Sequence, residues 1–111
     1  MKIMLFRDGQ MGVVVKIPGE RPLEEIGELL GGAVDEPLTR LSGRLALCMR
    51  ADGEEEHLPI RYAWHKLGRE PEPVAGNCAV VVQGLDWKLR DITIQDVEAA
   101  QVCVRPAGGL R

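Results

Sequence analysis

Aromatic residues are scarce in this chain: one Phe, one Tyr and two Trp among 111 residues. Its interior therefore has to be built from Val, Leu, Ile, Ala and Met. Long hydrophobic runs are missing too. Nothing approaches the ~18 continuous apolar residues of a helical membrane span. The opening Met1–Phe6 is cut off by Arg7-Asp8-Gly9, so it is too short for a secretory signal and reads as a first strand. Cysteine is limited to Cys48, Cys78 and Cys103, an odd number with no CxxC pair, each inside an apolar strand-like segment. Buried reduced thiols in a cytoplasmic protein fit that pattern better than a disulfide or a metal site. No Walker loop, GxGxxG, HExxH or GxSxG motif is present.

Charge of neither sign dominates. Lys and Arg number 14 and Asp and Glu 17, a net −3, and no block of five or more like charges marks an interaction tail. Acid gathers in residues 20–36 and 52–56; base gathers in 40–50 and 61–69. The apolar fraction of 45% is ordinary for a folded protein, and the length fits one domain over residues 1–111.

Lys2–Phe6 and Gly12–Ile17 are strand-like, with Arg7-Asp8-Gly9-Gln10 as the turn of a hairpin. Val13, Val14 and Val15 run without alternation, which predicts a strand buried on both faces. Pro22–Leu30 reads as a short helix. Pro22 suits its first position, Leu23, Ile26, Leu29 and Leu30 share one face, and Gly31-Gly32 stops it. Gly27 weakens this helix, and close packing on a sheet would account for it.

Ala33–Arg40 is an extended segment that Pro37 assigns to an edge. Arg44–Arg50 alternates clearly, with Leu45, Leu47 and Met49 on one face. Ala51-Asp52-Gly53 is a turn. A short helix is expected around Ile60–Lys66, then a loop over 68–76 broken by Pro71 and Pro73. Asn77–Gln83 is continuously apolar and reads as a central buried strand.

Trp87–Asp91 is a short strand or the approach to a helix. Thr93 with Asp96 resembles a capping box opening that helix, through Val97 and Ala100. Val102–Val104 is a last strand and 105–111 a loose tail. The order ββ-α-ββ-(α)-β-α-β predicts an α+β domain: a mainly antiparallel (mixed) sheet with two or three short helices packed on it.

Several of these stretches, in this order, resemble a family of small bacterial and phage domains of unknown function. They are Val14-Val15-Lys16-Ile17-Pro18-Gly19, Leu29-Leu30-Gly31-Gly32, Leu45-Ala46-Leu47-Cys48 and Leu58-Pro59-Ile60-Arg61, then the run from Val74 to Val82, and Ile92 to Val97. The resemblance spans about Val14 to Val97. It implies a cytoplasmic accessory protein of a phage, plasmid or other mobile element, with no assigned activity. Ile60 stands where the family has an Asn, and the hairpin of residues 2–17 looks like an addition.

Each candidate for chemistry has a plain structural rival. His57 and His65 are the only histidines, and Pro59 breaks any helix that would align them; a zinc site needs three or four ligands. Thiols in mid-strand among valines are poor nucleophiles. Asp52, Glu54, Glu55 and Glu56 lack the ligand alternation of a calcium loop and read as a solvated turn.

Arg61, Tyr62, Trp64, His65, Lys66 and Arg69 interleave cationic and aromatic groups, as protein-interface hot spots and base-stacking surfaces do. Trp87, Lys88 and Arg90 could extend that surface. The rival reading has Tyr62 and Trp64 covering one end of the core. The expectation is a non-enzymatic binding or accessory protein with no cofactor, no metal and no catalytic residues. Its partner is a protein, or a second copy joined through an open edge strand, and not a membrane. Nucleic acid is the alternative, disfavoured by the acidic balance.

Overall fold

A computed structural model describes residues 1–66 and 68–107. The elements are β1 (Lys2–Phe6), β2 (Val13–Lys16), α1 (Pro22–Leu30), β3 (Thr39–Arg40), β4 (Leu45–Met49), β5 (Ile60–Trp64), β6 (Glu72–Ala75), β7 (Cys78–Gln83), β8 (Leu89–Arg90), α2 (Ile94–Cys103) and β9 (Val104–Pro106). The fold is α+β, with two antiparallel sheets and two helices among the described residues.

The larger sheet runs β2-β1-β7-β4-β3, with β8 beside the far end of β7. The smaller runs β6-β5-β9. β7 is buried along its whole length because both faces of the large sheet are covered. Ala79 and Val81 face one core with Ile3, Leu5, Ala46 and Cys48, closed by Ile26 and Leu30 of α1. Cys78, Val80 and Val82 face the other with Met4, Phe6, Leu45 and Leu47, closed by Tyr62 and Val74 of the small sheet and Ala100 and Cys103 of α2. The result is three layers: helix, sheet, then small sheet with helix.

The helix ends obey local chemistry. Pro22 opens α1, and Gly31 closes it at φ +90°, its N–H donating to the Gly27 carbonyl at 2.9 Å. Leu29 is exposed, outside the face that carries Ile26 and Leu30. Gly27 serves the chain that turns back after the helix: a Cβ there would stand 2.9 Å from the Gly32 carbonyl oxygen. The capping box of α2 forms in full, with Thr93 as the cap and Asp96 returning the bond. Arg44, just before β4, donates to both Asp96 oxygens at 3.3 and 2.9 Å and ties α2 to the sheet.

Four expectations from the sequence are corrected. Ile60–Trp64 is a strand, because it finds two partners: Tyr62 lies opposite Val74 on one side and Pro106 on the other. The 68–76 loop contains β6, whose Pro73 is tolerated because the strand is an edge. The valines of β2 form the edge of the large sheet, with Val13 53% and Val14 46% exposed. The last strand begins at Val104, since α2 continues through Cys103, and Arg105 and Pro106 pair with β5 instead of hanging loose. Leu67 and the end of the expected tail, 108–111, lie outside the described residues. No described helix is long and apolar enough to cross a membrane.

Candidate partner-binding surface

β5 is the middle strand of the small sheet, so its backbone is held on both sides. Side chains alternate along it, and the alternation splits the aromatic and basic cluster. Tyr62 points inward and is fully buried. Its hydroxyl donates to the Gln10 carbonyl at 2.6 Å, and its ring meets Phe6 edge to face at 5.6 Å between centroids. Burial pushes the Tyr62 hydroxyl up to about 12. As a partner contact, Tyr62 is therefore corrected: it is the hinge between the two sheets and offers nothing to a ligand.

The other members of the cluster reach the surface. Arg61, Lys66 and Arg69 are exposed; Trp64 and His65 are half-buried. Trp64 packs its inner side against the core. The His65 amide donates to the Cys103 carbonyl at 2.9 Å, and the Arg69 amide to the Lys66 carbonyl at 3.0 Å.

Trp64 borders two grooves. One, of about 490 Å³, lies between the β3–β4 side of the large sheet and the small sheet. Met49, Ile60 and Trp64 supply its apolar surface, and Asp35, Glu54, Glu55 and Glu72 supply carboxylates. Its one cation, Arg50, is already engaged: it donates to Asp52 at 2.9 and 3.0 Å. That bond holds the Asp52 carboxyl below its usual range and raises Arg50. The groove is therefore net acidic. The second, of about 360 Å³, lies on the far side of Trp64, lined by Lys66, Arg69, Glu70, Pro71 and Glu72.

The carboxylates were not legible as a site because they come from three separate segments. Only pairing of β5 with β6, and packing of the two sheets, brings Asp35, Glu54, Glu55 and Glu72 around one indole. Ile60, half of an unremarkable Pro-Ile step in the sequence, becomes part of the floor.

Trp87, Lys88 and Arg90 do not extend this surface. They belong to the β7–β8 hairpin, beyond the Gln83 end of β7, and no residue of that hairpin borders either groove. Leu85 and Trp87 stand at its tip, 98% and 70% exposed. Arg90 is paired with Asp86 at 2.8 Å.

The histidines stay apart. His57 is exposed in the acidic turn before β5, while His65 follows β5. No three His, Cys, Asp or Glu side chains among the described residues are grouped to hold a metal ion. The cysteines are free and buried: Cys48 in the core under α1, Cys78 on β7 and Cys103 at the end of α2 in the opposite core. Burial, then the charge of Glu36, push the Cys48 thiol up to about 12, and burial pushes Cys78 and Cys103 up as well. Thiols in that state are neutral and unreactive. No family model, curated protein or solved structure matches the chain.

Proposed function

We propose that the protein is a small non-enzymatic binding domain whose partner is another protein, engaged at Trp64. The observation that carries this reading is that one half-buried indole, fixed on the central strand of the small sheet, borders both a carboxylate-lined groove and a groove flanked by Lys66 and Arg69. A rigid aromatic anchor with a polar rim is the usual make-up of an interface hot spot. The matching partner is an extended segment of mixed charge, with basic side chains toward Asp35, Glu54 and Glu55, and acidic ones toward Lys66 and Arg69.

Arg61 and His65 lie on the same segment and belong to the surface. Nucleic acid is the weaker reading, since phosphates approaching Lys66 and Arg69 would also meet Glu70 and Glu72. The resemblance to small bacterial and phage domains supports an accessory role in a mobile element, and three buried thiols suit the reducing cytoplasm.

The test is affinity capture from the source cell with wild type, Trp64→Ala and the Lys66→Ala/Arg69→Ala pair, each checked for native circular dichroism. Partners retained by wild type should be lost with Trp64→Ala. An unchanged partner set rejects the surface. Oligonucleotide binding at low salt that vanishes in the Lys66/Arg69 variant would replace the protein reading with the nucleic-acid one.

A further inference from the structure

Sheet edges are where chains pair with other chains, and natural proteins blunt them. This fold blunts nearly all of its own. β3 and β8 are two residues long, β6 contains Pro73, and β9 ends at Pro106. β2 is the exception: three consecutive valines, one lysine and no proline.

The direction of its backbone groups follows from the ladder. Met1 and Ile17 exchange both bonds: the Met1 amino group donates to the Ile17 carbonyl at 2.7 Å, and the Ile17 amide to the Met1 carbonyl at 2.8 Å. Bonded and non-bonded pairs alternate in an antiparallel ladder. Ile3–Val15 and Leu5–Val13 are therefore the bonded pairs, and the N–H and C=O of Val14 and Lys16 point away from β1, to the open side.

We infer that β2 pairs antiparallel with β2 of a second copy, about a two-fold axis through Val14, to join two large sheets into one. The register is fixed by charge and shape. With Val14 opposite Val14, Lys16 falls opposite Gly12 of the second copy. The strand's only charge then meets a residue with no side chain, where moving the two-fold axis from Val14 to Lys16, a four-residue slip of one strand along the other, would set Lys16 against Lys16, a like-charge contact. Gly12 has no room for anything larger, since a Cβ would stand 2.6 Å from the Phe6 ring. On the opposite face Val13 meets Val15 of the second copy, and Val15 meets its Val13, two β-branched cross-strand pairs. An isologous pairing of this kind closes at two chains and leaves no further edge of the same type. It lies outside both Trp64 grooves and is independent of what binds there.

Sedimentation equilibrium and cysteine cross-linking test the inference. The wild-type chain should sediment at the mass of two chains. Val14→Pro removes an N–H that no intrachain bond uses, and Val13 before it is already extended, as a residue preceding proline needs to be. Val14→Lys places two like charges at the axis through a side chain that is exposed in the single chain. Both should sediment as one chain with unchanged circular dichroism; if Val14→Pro fails to fold, Val14→Lys alone decides.

Opposed bonded residues stand about 5.5 Å apart, within disulfide range. Val14→Cys should therefore close a covalent dimer on mild oxidation, whereas Val13→Cys, which faces Val15, should not. A monomeric wild-type chain overturns the inference. So does a dimer that survives Val14→Lys, or a dimer in which Val14→Cys stays reduced.

Discussion

Tyr62→Ala is the most searching perturbation of this fold. The side chain is fully buried, it is the largest one so placed, and it joins the small sheet to the large one through Phe6 and the Gln10 carbonyl. Truncating a buried aromatic to alanine costs roughly 3–5 kcal/mol in lost transfer energy and cavity. Domains of this kind have about 5–15 kcal/mol in all, so much of the stability should go. Tyr62→Phe separates the two contributions. It keeps the ring and removes only the hydroxyl, and the Gln10 carbonyl it leaves belongs to an exposed residue that water can serve. That loss should be about 1 kcal/mol. Urea unfolding followed by circular dichroism reads both numbers. A Tyr62→Ala protein within about 1 kcal/mol of wild type would refute the packing of the small sheet on β1 and β7. Tyr62→Phe should also retain every partner that Trp64→Ala loses, because its hydroxyl faces the interior.

Asp96→Ala should destabilise by roughly 2 kcal/mol, ~1 from the helix cap and up to ~1 from the half-exposed Arg44 pair. Burial opposes the charged form of Asp96, but the bonds from Arg44 and Thr93 outweigh it and hold the carboxyl below 3.8. A lowered folded value stabilises above the unfolded one, so the gap between wild type and Asp96→Ala should be full near neutrality and close as pH falls through the folded value, measured by urea titrations across the acid range. At the other extreme, the folded state holds the protons of Cys48 and Tyr62 up to about 12, against ordinary values of 9.0 and 10.0. Groups raised in this way stabilise below their unfolded values, and that contribution is lost as pH climbs from about 9 toward 12, at up to ~1.4 kcal/mol per pH unit for each proton. Cys48→Ala should flatten the alkaline fall in thermal stability, and an unchanged slope would count against Cys48 as its source.

Local signals carried the elements whose cause is local. Pro22 and Gly31 mark the ends of α1, Thr93 and Asp96 mark the start of α2, and the valine run of β7 announces a strand covered on both faces. The same valine signal misled at β2. Val13, Val14 and Val15 have the pattern of an interior strand, but α1 covers only Val15, and the strand ends up as an edge. Residues 60–66 failed for a different reason. Leu58 and Tyr62 are spaced as on a helix, whereas the strand exists because of residues 72–75 and 104–106, two partners that local periodicity cannot announce. Prolines hid β6 in the same way: Pro71 and Pro73 suggest a loop, although a proline is harmless on an edge.

The candidate surface follows from that single change of element. On a helix, Tyr62, Lys66 and Arg69 stand at i, i+4 and i+7 and would share one face, free to meet a partner together. On a strand, Tyr62 and Trp64 share the face that meets the core: Tyr62 is surrendered to it whole, while Trp64, nearer the end of the strand, stays half-buried. What remains accessible is narrower: the open part of one indole, with Lys66 and Arg69 on one side and four carboxylates on the other, none of which neighbour it in the chain except through pairing. A surface built this way depends on the sheet. Any variant that opens β5 from β6 should abolish the grooves together with the strand, whereas Trp64→Ala removes the anchor and leaves the ladder intact. Comparing the two distinguishes a binding surface from a mere consequence of stability.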